Sequence, residues 1–155
     1  MKKREDLEGI ALNRFENVAA RHGFSVFRGQ RNNNRIHISG NTYYQFGDLR
    51  VETSTHHVVL EVESAGGVTN LVKYWYCLED AALSKYFPKG LILFHVFHQN
   101  SLNDYGSHLA LWEFLVNQMY ASTGERIQAF RYTYRTPSDL DVAIQHFEKY
   151  LVSFH

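Results

Sequence analysis

Apolar residues recur along this chain with two different periods, and these periods predict alternating helices and strands. Residues 4–22 carry apolar side chains at helical spacing from Leu7 to Ala19, which favours an amphipathic helix. The segment RIHIS (35–39) alternates instead, and LILFHVF (91–97) is a continuous apolar run of strand length, typical of a strand covered on both faces. Together the patterns predict helices over residues 4–22, 68–83, 107–121 and from Ser138 onward, and strands over residues 24–28, 35–39, 43–53, 58–64, 91–97 and 127–135.

These elements are expected to form an α/β fold, a mixed sheet covered by helices. Their order is α-β-β-β-α-β, followed by α-β-α. The first three strands can form an antiparallel meander, and helix 68–83 is long enough for a crossover that returns strand 91–97 to the sheet in parallel. A length of 155 residues suits one core, so a single domain over 1–155 is expected.

A β-hairpin is predicted around the turn STHH (54–57). A turn centred there places Asp48 opposite Glu63, and Arg50 opposite Glu61. Because side chains alternate along a strand, the acidic residues share one face of the hairpin. The other face is then apolar and carries Leu49, Val51, Leu60 and Val62.

The charge balance gives no general case for binding nucleic acid. Lys plus Arg number 16 and Asp plus Glu number 16, so the net charge is zero with histidine neutral, and any such case rests on a local patch. The loop RGQRNNNR (28–35) carries Arg28, Arg31 and Arg35 without an acid. These arginines could hold a phosphate backbone, although a solvated loop explains them equally well.

Cysteine content and hydropathy bear on location. Cys77 is the single cysteine, which rules out an internal disulfide and fits a reducing compartment. The first sixteen residues are too charged for a signal peptide, and the sequence has no run of about 20 apolar residues. A cytoplasmic location is expected.

Asp48, Glu61 and Glu63 form the main chemical constellation of the sequence. Three neighbouring carboxylates repel one another unless a positive charge lies among them. A divalent metal could supply it, since Mg²⁺ takes carboxylate oxygens, with the backbone carbonyl of Val62 as a further ligand. A solvated sheet face is the alternative, in which arginines at positions 28 and 50 balance the acids.

The segment GDLRVETSTHHVVLEVES (47–64) resembles the active-site motif of the PD-(D/E)XK nuclease superfamily. Asp48 stands for the first acid, and Glu61-Val62-Glu63 for the (D/E)XK element. The resemblance covers about residues 4–97 and implies a restriction-endonuclease-like core. It also implies an endonuclease, of restriction or repair type, that hydrolyses DNA phosphodiester bonds with Mg²⁺, or Mn²⁺, bound at Asp48 and Glu61.

The chain departs from that pattern at two positions. Gly47 precedes Asp48 where the family usually has proline. Glu63 stands where the family usually has lysine. Some members carry Glu there and others move the lysine to the following helix, and Lys73 lies on that predicted helix. Both alternatives are open, as is the reading of Lys73 as a surface lysine.

Asn70-Leu-Val-Lys-Tyr74 is similar to the Q-x-x-x-Y helix motif of exonuclease-type members, with Asn in place of Gln. The spacing places Asn70 and Tyr74 on one side of the helix, beside Lys73. The resemblance implies that they contact the nucleic acid near the scissile phosphate. The alternatives are a polar residue at a helix start and a partly buried aromatic.

The resemblance also implies roles for the remaining catalytic residues. Glu63 would position or deprotonate the attacking water, or bind a second metal, and Lys73 would orient water or neutralise charge on the phosphate. A homodimer is expected if so small a chain is to span a duplex. The alternative function is an inactive nuclease-fold module that binds nucleic acid or a protein, and a third is a purely structural interaction domain.

Overall fold

Four α-helices and seven strands make up the part of the chain that the computed structural model describes, residues 6–63, 68–99 and 106–153. The helices are α1 (Leu7–Arg21), α2 (Thr69–Glu79), α3 (Gly106–Thr123) and α4 (Asp141–Ser153), and the strands are β1 (Ser25–Arg28), β2 (Arg35–Ser39), β3 (Thr42–Gln45), β4 (Leu49–Glu52), β5 (His56–Glu63), β6 (Gly90–His98) and β7 (Ile127–Tyr134).

The main sheet has five strands in the order β1-β4-β5-β6-β7. Strands β1, β4 and β5 run antiparallel, whereas β6 and β7 run parallel to β5. The predicted mixed α/β sheet is confirmed, and so is the parallel return of strand 91–97. The helix between β5 and β6 provides that crossover.

The strand predicted over 35–39 forms, but it does not join the main sheet. It is β2, and it pairs with β3 as a separate two-stranded hairpin inserted between β1 and β4. The arm predicted over 43–53 is consequently broken into β3 and β4. The break falls at Gly47, whose φ of 84° turns the chain out of extended conformation.

Helices cover both faces of the sheet because its central strands are apolar on both faces. One face packs against α1 and α4, through residues such as Phe15 and Phe147. The other packs against α2 and α3, through residues such as Leu71 and Val116. The apolar hairpin face of the prediction is confirmed: Leu49, Val51, Leu60 and Val62 all lie in the core beneath α1 and α4.

The predicted register of the β4–β5 hairpin is wrong by two residues. Leu49 pairs with Leu60. Continuing this pairing by one residue places Asp48 opposite Glu61 rather than Glu63. The turn is tighter than predicted because the Thr53 hydroxyl accepts the backbone N–H of His56 and so closes the hairpin earlier. A shift of two residues keeps every side chain on its predicted face.

No helix within the described residues combines the length and the apolar composition needed to cross a membrane.

Candidate functional site

Glu61 lies at the centre of the site and is almost completely buried, with 2% of its surface exposed. Its Oε1 atom accepts hydrogen bonds from Lys73 Nζ at 2.8 Å and from Tyr74 Oη at 2.7 Å. Burial raises the pKa of Glu61 to about 7, although the charge of Lys73 opposes the rise. Without a further cation, Glu61 therefore exchanges a proton near neutral pH.

Asp48 lies opposite Glu61 on the neighbouring strand and is held by two donors. Its Oδ2 accepts the backbone N–H of Val62 at 2.8 Å, and its Oδ1 accepts from Gln45 Nε2 at 2.9 Å. Burial raises the pKa of Asp48, and these two hydrogen bonds act against that rise. The first two acids of the predicted motif are thus brought together across the hairpin.

The backbone conformation of Gly47 positions Asp48. A Cβ atom at Gly47 would lie 2.5 Å from Cγ1 of Val59, and its φ is in the left-handed region. Proline, whose ring holds φ near −65°, cannot adopt this backbone. The departure from the family's usual proline is therefore required by the local conformation.

Lys73 projects from α2 into the site. Its side chain is 9% exposed, and besides Glu61 its Nζ donates to the backbone carbonyl of Gln45 at 3.0 Å. The reading of Lys73 as a surface lysine is therefore wrong. The helix lysine and the two acids of the motif form one cluster.

Glu63 belongs to a neighbouring network and does not face Asp48 as the predicted register required. Its Oε1 accepts from Asn70 Nδ2 and from His95 Nε2, the latter at 3.1 Å. The Nδ1 atom of His95 in turn accepts from Trp112 Nε1 at 3.0 Å. Among the described residues, Oε2 of Glu63 has no hydrogen-bond partner.

Asn70 and Tyr74 contact the carboxylates of the site. The ring of Tyr74 is fully buried and its hydroxyl donates to Glu61, while the Asn70 amide donates to Glu63. A buried hydroxyl offers no surface to a nucleic acid, so Tyr74 would act through Glu61. The predicted nucleic-acid contact of Asn70 stays a prediction.

The alternative of a solvated sheet face requires two arginines to balance the acids, and neither of them contacts Asp48, Glu61 or Glu63. Arg50 lies opposite Val59 and forms an ion pair with Glu52. Arg28 lies in register with Leu49, on the face covered by α1, and pairs with Glu16 at 2.7 Å. The expectation that these side chains balance the carboxylates is wrong, because Arg50 binds Asn34 and Glu52 instead and Arg28 lies on the opposite face of the sheet.

The basic loop lies beside the site and is tied to it by Asn34. The buried amide of Asn34 donates to the carbonyls of Gly29 at 2.8 Å and Gly47 at 3.1 Å. Arg31 is exposed, whereas the guanidinium of Arg35 lies over the ring of Tyr43. The role of Arg28, Arg31 and Arg35 in holding nucleic acid stays a prediction.

Sequence reasoning missed three members of the site: Gln45, His95 and Trp112. Gln45 touches both Asp48 and Lys73. His95 lies within β6, in register with Glu61. A histidine inside an otherwise apolar run was the available signal, and the parallel pairing needed to interpret it could not be read from the sequence.

The site contains oxygen donors of the kind that a hard divalent cation takes. The carboxylates of Asp48 and Glu61 lie near a single lysine, and Oε2 of Glu61 has no hydrogen-bond partner among the described residues. When both acids are ionised, Lys73 balances one of the two negative charges, and a divalent ion would offset the other. Within residues 6–63, 68–99 and 106–153, however, no three His, Cys, Asp or Glu side chains converge as a ready ligand group.

Comparison of the chain with protein-family models, with curated proteins and with solved structures found no match.

Proposed function

We propose that this chain is a metal-dependent nuclease of the PD-(D/E)XK type that hydrolyses DNA phosphodiester bonds. The observation that supports this most is the ion pair between Lys73 and Glu61, buried beside Asp48. Two acids on an antiparallel hairpin and a lysine from the following helix match the form of the motif in which the lysine has moved to that helix. They converge here although they are spread over 26 positions of sequence.

Asp48 and Glu61, with the carbonyl of Val62, would hold Mg²⁺ or Mn²⁺. A bound divalent ion supplies a lowered pKa for a water ligand and offsets charge on the phosphate. The chain's own contribution is the positioning: the Val62 N–H and the Gln45 amide hold Asp48, and Tyr74 and Lys73 hold Glu61. A preset carboxylate pair of this kind loses little freedom when it binds a cation.

Lys73 would be the cationic group that meets the substrate. Its ammonium has three N–H donors, of which Glu61 and the Gln45 carbonyl take two. No hydrogen-bond acceptor among the described residues takes the third, although the ammonium also lies over the ring of Tyr74. This donor could reach an oxygen of a phosphate or of a water. A buried ammonium at this point would stabilise negative charge that develops on the phosphate.

A second candidate, an inactive module of the same fold that binds nucleic acid or a protein, is favoured by a different observation. Both oxygens of Asp48 already accept hydrogen bonds, and Glu61 already has an ion pair. The hydrogen bonds and the ion pair of these two carboxylates can stabilise them without a metal. The two candidates differ in metal affinity and in turnover.

The test is cleavage of linear, single-stranded and branched DNA with Mg²⁺ or Mn²⁺, alongside calorimetry of Mn²⁺ binding. The nuclease proposal predicts that Asp48→Asn and Glu61→Gln abolish cleavage and weaken Mn²⁺ binding, while Glu125→Gln, at an exposed carboxylate, leaves both unchanged. Cleavage that survives in the first two variants would overturn the site assignment. DNA binding without Mn²⁺ binding or turnover would favour the inactive module.

A further inference from the structure

We propose that His95 is a positioning residue that, fixed by Trp112, holds Glu63 as an oriented carboxylate with Oε2 as its working oxygen. The inference rests on the proposed nuclease function and deepens it, because it assigns a role to the residue that replaces the expected lysine. Glu63 would then be the acceptor for the attacking water, or a ligand of a second cation, while Lys73 remains the cationic group. Neither His95 nor Trp112 belongs to the motif from which the site was predicted.

Trp112 decides the tautomer of His95. An indole N–H can only donate, and Nε1 of Trp112 lies 3.0 Å from Nδ1 of His95, so this ring nitrogen carries no proton. His95 is completely buried, which leaves no solvent to take the place of either partner. The ring is therefore neutral and its proton is on Nε2.

The same contacts orient the side chain of Glu63. Nε2–H of His95 donates to Oε1 of Glu63 at 3.1 Å, and the amide of Asn70 donates to the same oxygen. Two donors occupy the two lone pairs of Oε1, which leaves this oxygen little capacity for a water or a cation. Oε2, without a partner among the described residues, is the oxygen of Glu63 that remains for either.

The sheet holds this arrangement in place. β5 and β6 pair in parallel with Glu61 beside His95 and Glu63 beside Phe97, so His95 lies on the same face as both acids. The ring of Phe97 lies 4.2 Å from the imidazole, centre to centre, on one side, and α3 supplies Trp112. Turning this ring to exchange its two nitrogens would break both hydrogen bonds.

The tautomer can be tested in the wild-type protein by nitrogen NMR of the histidine rings. The expected result for His95 is a protonated Nε2 and an unprotonated Nδ1. Trp112→Phe removes the donor and keeps an aromatic ring, so the His95 signals are expected to change. Trp75→Phe is the matched control, since Trp75 donates to Ser122 elsewhere in the molecule. A protonated Nδ1 in the wild type would overturn the inference whatever the activity of the protein.

The role in the reaction is tested with two substitutions of His95. His95→Phe removes the donor to Glu63, and is expected to lower kcat about 10–100-fold and to weaken Mn²⁺ binding, with KM for DNA little changed. His95→Gln retains an N–H donor and is expected to recover part of the loss. Thermal melting of each variant shows whether it has folded. Equal loss in folded Phe and Gln variants, or no loss in either, would contradict a positioning role.

The two proposals fail in different ways. If the wild-type protein cleaves DNA through Asp48 and Glu61 but His95 has the other tautomer, the nuclease proposal stands and the positioning role of His95 is rejected. If the wild-type protein has the expected tautomer but neither binds Mn²⁺ nor cleaves DNA, the nuclease proposal is rejected. The role of His95 in the reaction is then rejected as well.

Discussion

Lys73 Nζ lies 2.8 Å from Oε1 of Glu61, and the pair joins α2 to the strand that precedes it. Both side chains are buried, so removing either partner leaves the other in a region with little water. Lys73→Met is expected to lower kcat/KM for DNA cleavage about 10²–10³-fold, because one donor to developing charge is lost. In the metal-free protein, the pKa of Glu61 should rise further, since the charge of Lys73 holds it down.

Lys85→Met is the control for this substitution, since Lys85 lies against the ring of Tyr86 outside the site. It should leave cleavage unchanged. Full activity in Lys73→Met would show that the lysine only neutralises Glu61 and takes no part in the reaction.

The raised pKa of Glu61 makes the stability of the metal-free protein depend on pH. The folded protein holds the proton of Glu61 up to about pH 7, whereas the unfolded chain releases it near 4.5. Between these values the folded state binds more protons, so the free energy of unfolding falls as the pH rises, by up to about 3 kcal/mol.

Urea denaturation in the presence of a chelator, at intervals from about pH 4.5 to 8, measures this dependence. Glu61→Gln should flatten the profile, whereas Glu125→Gln should reproduce that of the wild type. Identical profiles for wild type and Glu61→Gln would show that the Glu61 carboxyl is not the group responsible.

Glu52 should produce the opposite dependence on pH. Burial raises its pKa, but hydrogen bonds from His57, Lys89 and Arg50 outweigh it and bring the value to about 2. The folded carboxylate therefore binds protons more weakly than the unfolded one, and its stabilisation is present above about pH 4.5 and is lost as the pH falls toward 2.

Glu52→Gln is expected to destabilise the protein by about 2 kcal/mol at neutral pH, because charged donors lose their partner. The difference from wild type should shrink as the pH is lowered from about 4.5. Denaturation curves of the two proteins across this range provide the measurement, and a constant difference down to about pH 2 would argue against the ion pairs as the cause.

Gly47→Ala should destabilise the protein and disturb Asp48. The added Cβ meets Val59 and the backbone is held at a φ of 84°, which together are expected to cost about 1–3 kcal/mol. Gly40→Ala is the matched control, since Gly40 also has a positive φ but nothing within 4 Å of an added Cβ. Thermal melts should therefore show a larger loss at Gly47, and Val59→Ala should recover part of it.

The sequence predicts much of this fold because periodicity records which faces are buried. The hairpin faces depend only on the alternation of apolar and polar residues, and they survive an error of two residues in register. The helix predicted over 68–83 ends at Glu79 instead, because the side chain of Asp80 accepts the backbone N–H groups of Ala82 and Leu83 and closes a turn. A side chain that binds nearby backbone N–H groups competes with continuation of the helix. The hydrophobic periodicity of the sequence does not reveal such a hydrogen bond.

The site was predictable only where its members lie on one local element. Asp48 and Glu61 share a hairpin, and Lys73, Asn70 and Tyr74 share a helix, so motif spacing could find them. His95 and Trp112 join through the parallel pairing of β6 and the docking of α3. Those are long-range contacts, which a single sequence does not specify.

The hairpin β2–β3 is coupled to the reactive groups through Gln45, its last residue. The side chain of Gln45 holds Asp48 and its carbonyl holds Lys73, so one residue sets the spacing between an acid and the lysine. Splicing β1 directly to β4 to make a minimal protein would remove both supports together. Conversely, a ligand that displaced this hairpin would move Asp48 and Lys73 together. A segment outside the main sheet could therefore regulate the geometry of the site.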